Sequence, residues 1–149
     1  MGHDPDSSQS AVPLAETRVG GGLAPLIPTK THVPRRRPDL LTRPRLVNAI
    51  HAHLDHKLIV VSAPAGYGKT TLLADFAHDT DLPVCWYTLD PFDRDLHTFL
   101  EYLISAIARR FPAFGDRTQA LVRQVPDPVG QLYSIVATLV QEIYDTIPE

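Results

Sequence analysis

Apolar residues follow different spacings along the chain, and each spacing predicts a different element. From Pro44 onward they recur every three or four positions, which predicts a helix. Four consecutive aliphatic residues at 58–61 follow without alternation, as in a strand buried on both faces of a parallel sheet. A loop at 64–68, a helix at 69–78 and a second apolar run at 84–89 complete the order strand, helix, strand. This order is typical of a βαβ unit with a right-handed crossover.

Two further helices are predicted in the second half of the chain. Asp95 is a candidate N-cap for a helix whose apolar stripe runs from Leu96 to Phe111. Asp127 and Pro128 open the last predicted helix, because aspartate suits an N-cap and proline suits a first turn. The predicted buried face of that helix comprises Leu132, Ile135, Val136, Leu139, Val140 and Ile143.

The N-terminal part lacks these patterns. Residues 1–30 are rich in Gly, Ser and Pro and predict a disordered tail, and residues 31–45, with three prolines, predict an extended arm rich in Arg and Pro. The remainder, 46–149, contains only two strand-like runs, whereas a nucleotide-binding α/β domain has about five strands. We therefore expect the front half of an α/β domain, with a partial parallel sheet of about two strands flanked by helices.

Composition narrows the class of protein. The 149 residues are 44% hydrophobic with a net charge of −3, which indicates one globular domain or less and excludes a polybasic chain. The single Cys85 excludes an internal disulfide framework. No apolar run approaches the roughly 18 residues that span a bilayer, and the N-terminus does not resemble a signal peptide. We therefore expect a cytoplasmic protein that does not enter membranes.

Charge is distributed unevenly. Residues 1–70 carry nine Lys and Arg against five Asp and Glu, and residues 71–149 carry five against twelve. Five arginines lie within 35–45. Such a run suits contact with phosphate or an acidic surface, and it equally suits a solvated linker.

The strongest chemical signal follows the first strand-like run. The segment Ala63, Pro64, Ala65, Gly66, Tyr67, Gly68, Lys69, Thr70, Thr71 fits the phosphate-binding loop, with Ala63 where Gly is commoner. Glycines let backbone N–H groups turn towards an anion, and the following helix directs its N-terminus to the same place. Lys69 supplies a cation for the outer phosphates, and the Thr70 hydroxyl is placed to bind Mg²⁺. The segment predicts binding of a nucleoside triphosphate such as ATP.

For the other candidate residues, a structural role is favoured over a chemical one. Asp90, Asp93 and Asp95 follow the second strand-like run, where turn formation and helix capping are favoured over metal binding. The histidines at 51, 53 and 56 have a spacing that suits a solvated helix face better than a metal site. Cys85 is expected in the core. Trp86 and Tyr87 could pack against a nucleotide base, but a core position is favoured for both.

The order of motifs resembles a known family. Thr29-Lys30, Pro34-Arg35, the segment from Leu40 to Leu46, the loop from Val61 to Leu73, and Trp86 to Asp90 occur in this order. They resemble the MalT-like group of large ATP-binding LuxR-type transcriptional regulators, which are P-loop signal-transduction ATPases with numerous domains (STAND).

The resemblance implies a nucleotide switch that alternates between ATP and ADP, with Mg²⁺, slow hydrolysis and self-association of the full-length protein. It places Ala63 to Thr71 around the phosphates and Arg43 beside the nucleotide. The Walker B strand, which carries the metal-binding carboxylates, would follow Glu149, and DNA binding would belong to a C-terminal domain absent from this chain. Two alternatives stay open: an ATPase like the AAA and origin-recognition proteins, and an interaction fragment without nucleotide function.

Overall fold

The computed structural model describes residues 26–36 and 41–148, which form five α-helices and two short 3₁₀ helices. Most of the predicted tail (1–25), four residues of the predicted arm (37–40) and Glu149 lie outside the described residues. The helices are α1 (Pro44–His51), α2 (Lys69–Asp79), α3 (Leu96–Ala108), α4 (Asp116–Gln124) and α5 (Leu132–Thr146). The 3₁₀ helices are Pro28–Thr31 and Pro91–Arg94.

The predicted parallel sheet is wrong. Within the described residues no strand forms, and the runs at 58–61 and 84–89 have no regular secondary structure. The expectation of burial on both faces also fails, because Leu58 and Val60 are 76% and 75% exposed. A β-strand forms only where its backbone N–H and C=O groups pair with a neighbouring strand. An aliphatic run has a high β propensity, but it does not provide that neighbouring strand. The described fold is therefore helical rather than α/β.

The helices pack together in two separate hydrophobic clusters. Val47 and Ile50 of α1 pack against Leu72 of α2. The second cluster joins α3, α4 and α5 through Leu100, Ile104, Phe114, Val122 and Ile135. In the part of the chain that the structure describes, neither α1 nor α2 packs directly against a helix of the second group.

Residues 26–36, here called the arm segment, connect the two helix groups. Its 3₁₀ helix packs on α3, and the Ile27 N–H donates to the hydroxyl of Tyr102 at 2.9 Å. At its other end Arg36 contacts Asp75 of α2. The arm segment therefore contacts both helix groups although its sequence has no hydrophobic periodicity.

The predicted helices agree with the helices of the structure to different degrees. Helix α2 begins at Lys69 as expected, and α3 begins after Asp95, whose carboxylate accepts the Thr98 N–H at 2.8 Å. Helix α4 was not predicted, because few apolar side chains mark its period. Helix α5 starts at Leu132 instead of Asp127, whose carboxylate accepts the Val129 N–H in a turn.

The predicted inward face of α5 is only partly correct. Ile135 is fully buried, and Leu139 and Ile143 pack against the same cluster. Leu132, Val136 and Val140 are instead exposed, by 42%, 43% and 58%. None of the described helices is both long and apolar enough to cross a bilayer.

Candidate phosphate-binding loop

The loop at 63–71 has the backbone conformation that its glycines allow. Gly66 and Gly68 adopt φ angles of +83° and +76°, in the left-handed region that favours glycine. Gly68 is the N-cap of α2; no described side chain caps this helix, and its first turn contains no acidic residue. The N-terminus of α2 therefore keeps unsatisfied N–H groups and a positive dipole end.

Lys69 folds back over the loop. Its ammonium donates to the carbonyl oxygens of Ala63 at 2.7 Å and Pro64 at 3.0 Å. Both acceptors are neutral backbone carbonyls rather than carboxylates. An anion with stronger acceptor oxygens would be a better partner for this ammonium than the two carbonyls are.

Arg43 lies against the loop from the other side. It is the N-cap of α1, and its guanidinium donates to the carbonyl oxygen of Tyr67 at 2.9 Å. A Cβ on Gly68 would lie 3.4 Å from the same guanidinium. Arg43 and the loop, which are separated in the sequence by α1 and the 58–61 run, are thus in contact.

Clefts surround the loop. One of about 400 Å³ is lined by Leu41, Arg43, Gly66, Gly68, Thr71, Leu72 and Asp75. A second, of about 370 Å³, includes Ala63, Tyr67, Lys69 and aliphatic residues of α1 and the 59–61 run. A third, of about 320 Å³, is lined by arm-segment arginines together with Thr70 and Thr71. Pro64, Ala65, Tyr67 and Thr70 are exposed, so the predicted site faces solvent.

One charged pair beside the loop was not predicted. The Asp75 side chain is buried, and its carboxylate lies 3.3 Å from Nε of Arg36, which also donates to the Asp75 carbonyl oxygen at 3.0 Å. The arginine run was expected to meet phosphate or to be a solvated linker. Arg36 does neither, since it is paired with α2. No periodic signal in the sequence connects these two residues.

A second unpredicted cluster surrounds Lys30. Its ammonium lies 2.7 Å from carboxylate oxygens of both Asp90 and Asp93 and 4.7 Å from the ring centre of Tyr102. Burial alone would lower the pKa of Lys30, but hydrogen bonds to the two carboxylates raise it above its usual value. For Asp93 the directions are reversed. Burial alone would raise the pKa of this carboxyl group, but the hydrogen bond from Lys30 lowers it below its usual value.

The capping interpretation of these aspartates is confirmed. Asp90 accepts the Phe92 N–H, and Asp93 accepts the Asp90 N–H, each at 2.8 Å, forming a capping box at the second 3₁₀ helix. Together with Lys30, these contacts engage both oxygens of each carboxylate.

The remaining candidates lie elsewhere. His51 Nε2 is 3.3 Å from Asp79, and His53 and His56 are exposed in the turns after α1. Cys85 is exposed, so its predicted core position is wrong. Trp86 and Tyr87 are partly buried, and Tyr87 stacks on Tyr102 at 5.5 Å between ring centres.

Comparison with known proteins identifies relatives of part of the chain. It is 36% identical over 96 residues to the HTH-type transcriptional regulator MalT of Yersinia pestis, covering 64% of this chain and 10% of that protein. It is 30% identical over 140 residues to the serine/threonine-protein kinase PknK of Mycobacterium tuberculosis, covering 88% of this chain and 12% of that protein. No family model matches the chain, and no solved structure matches it significantly.

The chain is thus related to MalT-like transcriptional regulators. It spans about a tenth of the length of the curated relatives it matches.

Proposed function

We propose that the chain binds the phosphates of ATP at residues 63–71, as the nucleotide-binding segment of a MalT-like, ATP-dependent transcriptional regulator. The observation that carries the proposal is the placement of Lys69 over a loop with two left-handed glycines, at a helix N-terminus that no described side chain caps. This arrangement concentrates positive potential and N–H donors at one point.

The two relatives support a shared module. One is named as a transcriptional regulator and the other as a protein kinase, yet both match this chain. The kinase tripeptides His-Arg-Asp and Asp-Phe-Gly do not occur in this sequence. What the segment does is therefore expected to be common to both proteins, and the phosphate-binding loop is the motif here with a chemical function.

The residues fit a Mg²⁺-bound triphosphate. Lys69, which donates to two carbonyl oxygens, would instead donate to phosphate oxygens, and the first-turn N–H groups of α2 would donate to the same phosphates. The exposed Thr70 hydroxyl is free to join the Mg²⁺ shell. Arg43 borders the loop on the side of the 400 Å³ cleft. Exchange of ATP for ADP, self-association and DNA binding belong, in this proposal, to the full-length regulator.

Steady hydrolysis by this chain alone is not part of the proposal. Asp90 and Asp93 are held by Lys30, and Asp75 is paired with Arg36, so these carboxylates are engaged. A P-loop ATPase also needs a carboxylate for the metal and a group that orients water.

Isothermal titration with Mg·ATP tests the proposal. We expect weak, saturable binding that falls at least tenfold in Lys69→Ala, because a charge-assisted contact to phosphate is lost. Lys57→Ala is the matched control, since Lys57 is an exposed lysine after α1 and should bind like the unmodified chain. Equal affinity of Lys69→Ala and the unmodified chain would contradict the role given to Lys69.

A further inference from the structure

A basic cleft lies at the C-terminal end of α3, and it shares no lining residue with the clefts beside the loop at 63–71. It has a volume of about 190 Å³ and is here called the α3 cleft. The arm segment, the segment 84–86 and the end of α3 form its walls, which include His32, Val33, Val84, Trp86, Arg109 and Arg110. Among the described residues, no carboxylate lines it. The lining is therefore basic and apolar.

The two arginines of the α3 cleft have no acidic partner within the described part of the chain. Elsewhere, Arg36, Arg117 and Arg123 each lie beside a carboxylate. The ion pairs of the described residues include neither Arg109 nor Arg110, and both side chains are exposed. Basic residues at the end of a helix offset the helix dipole, but that role requires neither a cleft nor an aromatic wall. Guanidinium groups also match the oxygens of a phosphate group through their forked N–H donors.

The charge of Arg110 acts on the neighbouring segment 84–86. Desolvation raises the pKa of the Cys85 thiol, and the positive charge of Arg110 opposes that rise because it favours the thiolate. On the arm segment, the imidazole of His32 donates from Nδ1 to the carbonyl oxygen of Pro28. This hydrogen bond fixes the ring at the edge of the α3 cleft. Positive potential and N–H donors therefore come together in one small cleft, which suits an anion.

The apolar walls and the volume restrict the class of anion further. The Trp86 N–H donates to the Thr88 hydroxyl at 2.8 Å, so its ring rather than its N–H is available to a ligand. Val33 and Val84 extend this apolar surface. A volume of about 190 Å³ is small beside the roughly 300–1,000 Å³ of sites for larger ligands, so it excludes a whole nucleoside triphosphate. It accommodates a phosphate group that carries one small apolar or aromatic group.

We propose that the α3 cleft binds a small phosphate monoester, with the phosphate oxygens on Arg109 and Arg110 and the organic group against the ring of Trp86. The α3 cleft contains no residue of the loop at 63–71, so this site is independent of the proposed function. For a ligand of this size, the dissociation constant is expected to be about 0.1–1 mM.

Titration with phenyl phosphate, followed by fluorescence, tests the site. Trp86 is the only tryptophan of the chain, so its emission reports directly on the α3 cleft. Arg109→Gln and Arg110→Gln should each weaken binding at least about threefold, and the double variant at least about tenfold, because charge-assisted hydrogen bonds are lost. Arg94→Gln, at an exposed arginine outside the α3 cleft, is the matched control and should bind like the unmodified chain. Circular dichroism confirms that each variant is folded.

Further ligands and one further variant test the chemistry and the location. Inorganic phosphate, and a glycine-flanked phosphoserine peptide, should each bind at least about threefold more weakly than phenyl phosphate, because neither places a ring against Trp86. Lys69→Ala should bind phenyl phosphate unchanged, which separates this site from the loop at 63–71.

Four results would overturn the proposal. They are the absence of a saturable fluorescence change up to about 10 mM phenyl phosphate, equal losses of affinity in Arg94→Gln and Arg109→Gln, a loss in Lys69→Ala, and tighter binding of the peptide than of phenyl phosphate. The last result would replace the small free ester by a phosphorylated protein segment as the ligand.

Discussion

At the scale of single residues, the loop shows how far side-chain chemistry depends on backbone conformation. Gly66 and Gly68 occupy left-handed conformations that other residues rarely adopt, and Gly68 also leaves room for the Arg43 guanidinium. Lys69 could take its position over the loop only because these turns bring the carbonyls of Ala63 and Pro64 within 3.0 Å of its ammonium. Except for Arg43, which only the family resemblance indicated, each of these residues was identifiable from the motif alone.

Arg43 provides a residue-scale prediction. Replacing it with alanine should weaken Mg·ATP binding about three- to tenfold, because its guanidinium lies beside the loop, and should leave the helices intact because the side chain is exposed. Arg45→Ala, two residues further along in α1, is the control and should bind unchanged. Titration calorimetry and circular dichroism measure both effects. Equal losses of affinity in the two variants would indicate only a general effect of charge.

At the scale of elements, α4 depends on α5 for its N-terminus. The buried carboxylate of Glu142 accepts the N–H groups of Arg117 and Thr118, both at 2.9 Å, and the Thr118 hydroxyl. Burial would raise the pKa of Glu142, but these hydrogen bonds lower it below the usual value near 4.5. A carboxylate on one helix thus takes the place of an N-cap on another.

Glu142→Gln should therefore destabilise the fold by about 2–3 kcal/mol at neutral pH, because it removes charged hydrogen bonds from a buried site. Because the folded-state pKa is depressed, the contribution of Glu142 is fully present above the unfolded-state pKa and is lost as pH falls through the folded-state pKa. The difference between the two proteins in urea unfolding should accordingly shrink below about pH 4.5. Asp145→Asn, at an exposed acid of the same helix, should have a much smaller effect. A difference independent of pH would contradict the ionised state of Glu142.

At the scale of the whole molecule, the two hydrophobic clusters are joined through the arm segment and irregular chain. Lys30 holds the arm segment to the second 3₁₀ helix, Arg36 holds it to α2, and the Thr88 N–H donates to the Lys30 carbonyl oxygen at 2.8 Å. Polar contacts of this kind are weaker and more local than a shared core. The two helix groups are therefore expected to differ in their local stability.

Ile135→Ala tests this division. The side chain is fully buried, so its truncation should cost about 2–5 kcal/mol. Hydrogen exchange should accelerate in α3, α4 and α5 while α1 and α2 keep their protection. Val47→Ala, in the other cluster, should show the reverse distribution. Uniform acceleration along the chain in either variant would show that the clusters unfold as one unit.

Sequence reasoning succeeded where a local rule was sufficient. The period of α1, α2 and α3, the Asp95 cap and the capping roles of Asp90 and Asp93 all follow from neighbouring residues. The sequence-based predictions were wrong where strand formation or burial depended on contact with a distant segment of the chain. The aliphatic runs have no strand neighbour in the described chain, and Val136 and Val140 lie outside because α3 and α4 contact a different side of α5.

The sequence by itself determined the loop, because glycine at a left-handed position and lysine at the start of a helix are requirements of the local backbone. It also determined most helices, because their period is a property of consecutive residues. Only the tertiary structure decided that residues 26–36 and 41–148 form two clusters without a sheet, that Arg36 pairs with Asp75, and that α5 leaves apolar side chains exposed. Burial and ion pairing depend on which distant segments come into contact. The spacing of hydrophobic residues along the chain does not specify those contacts.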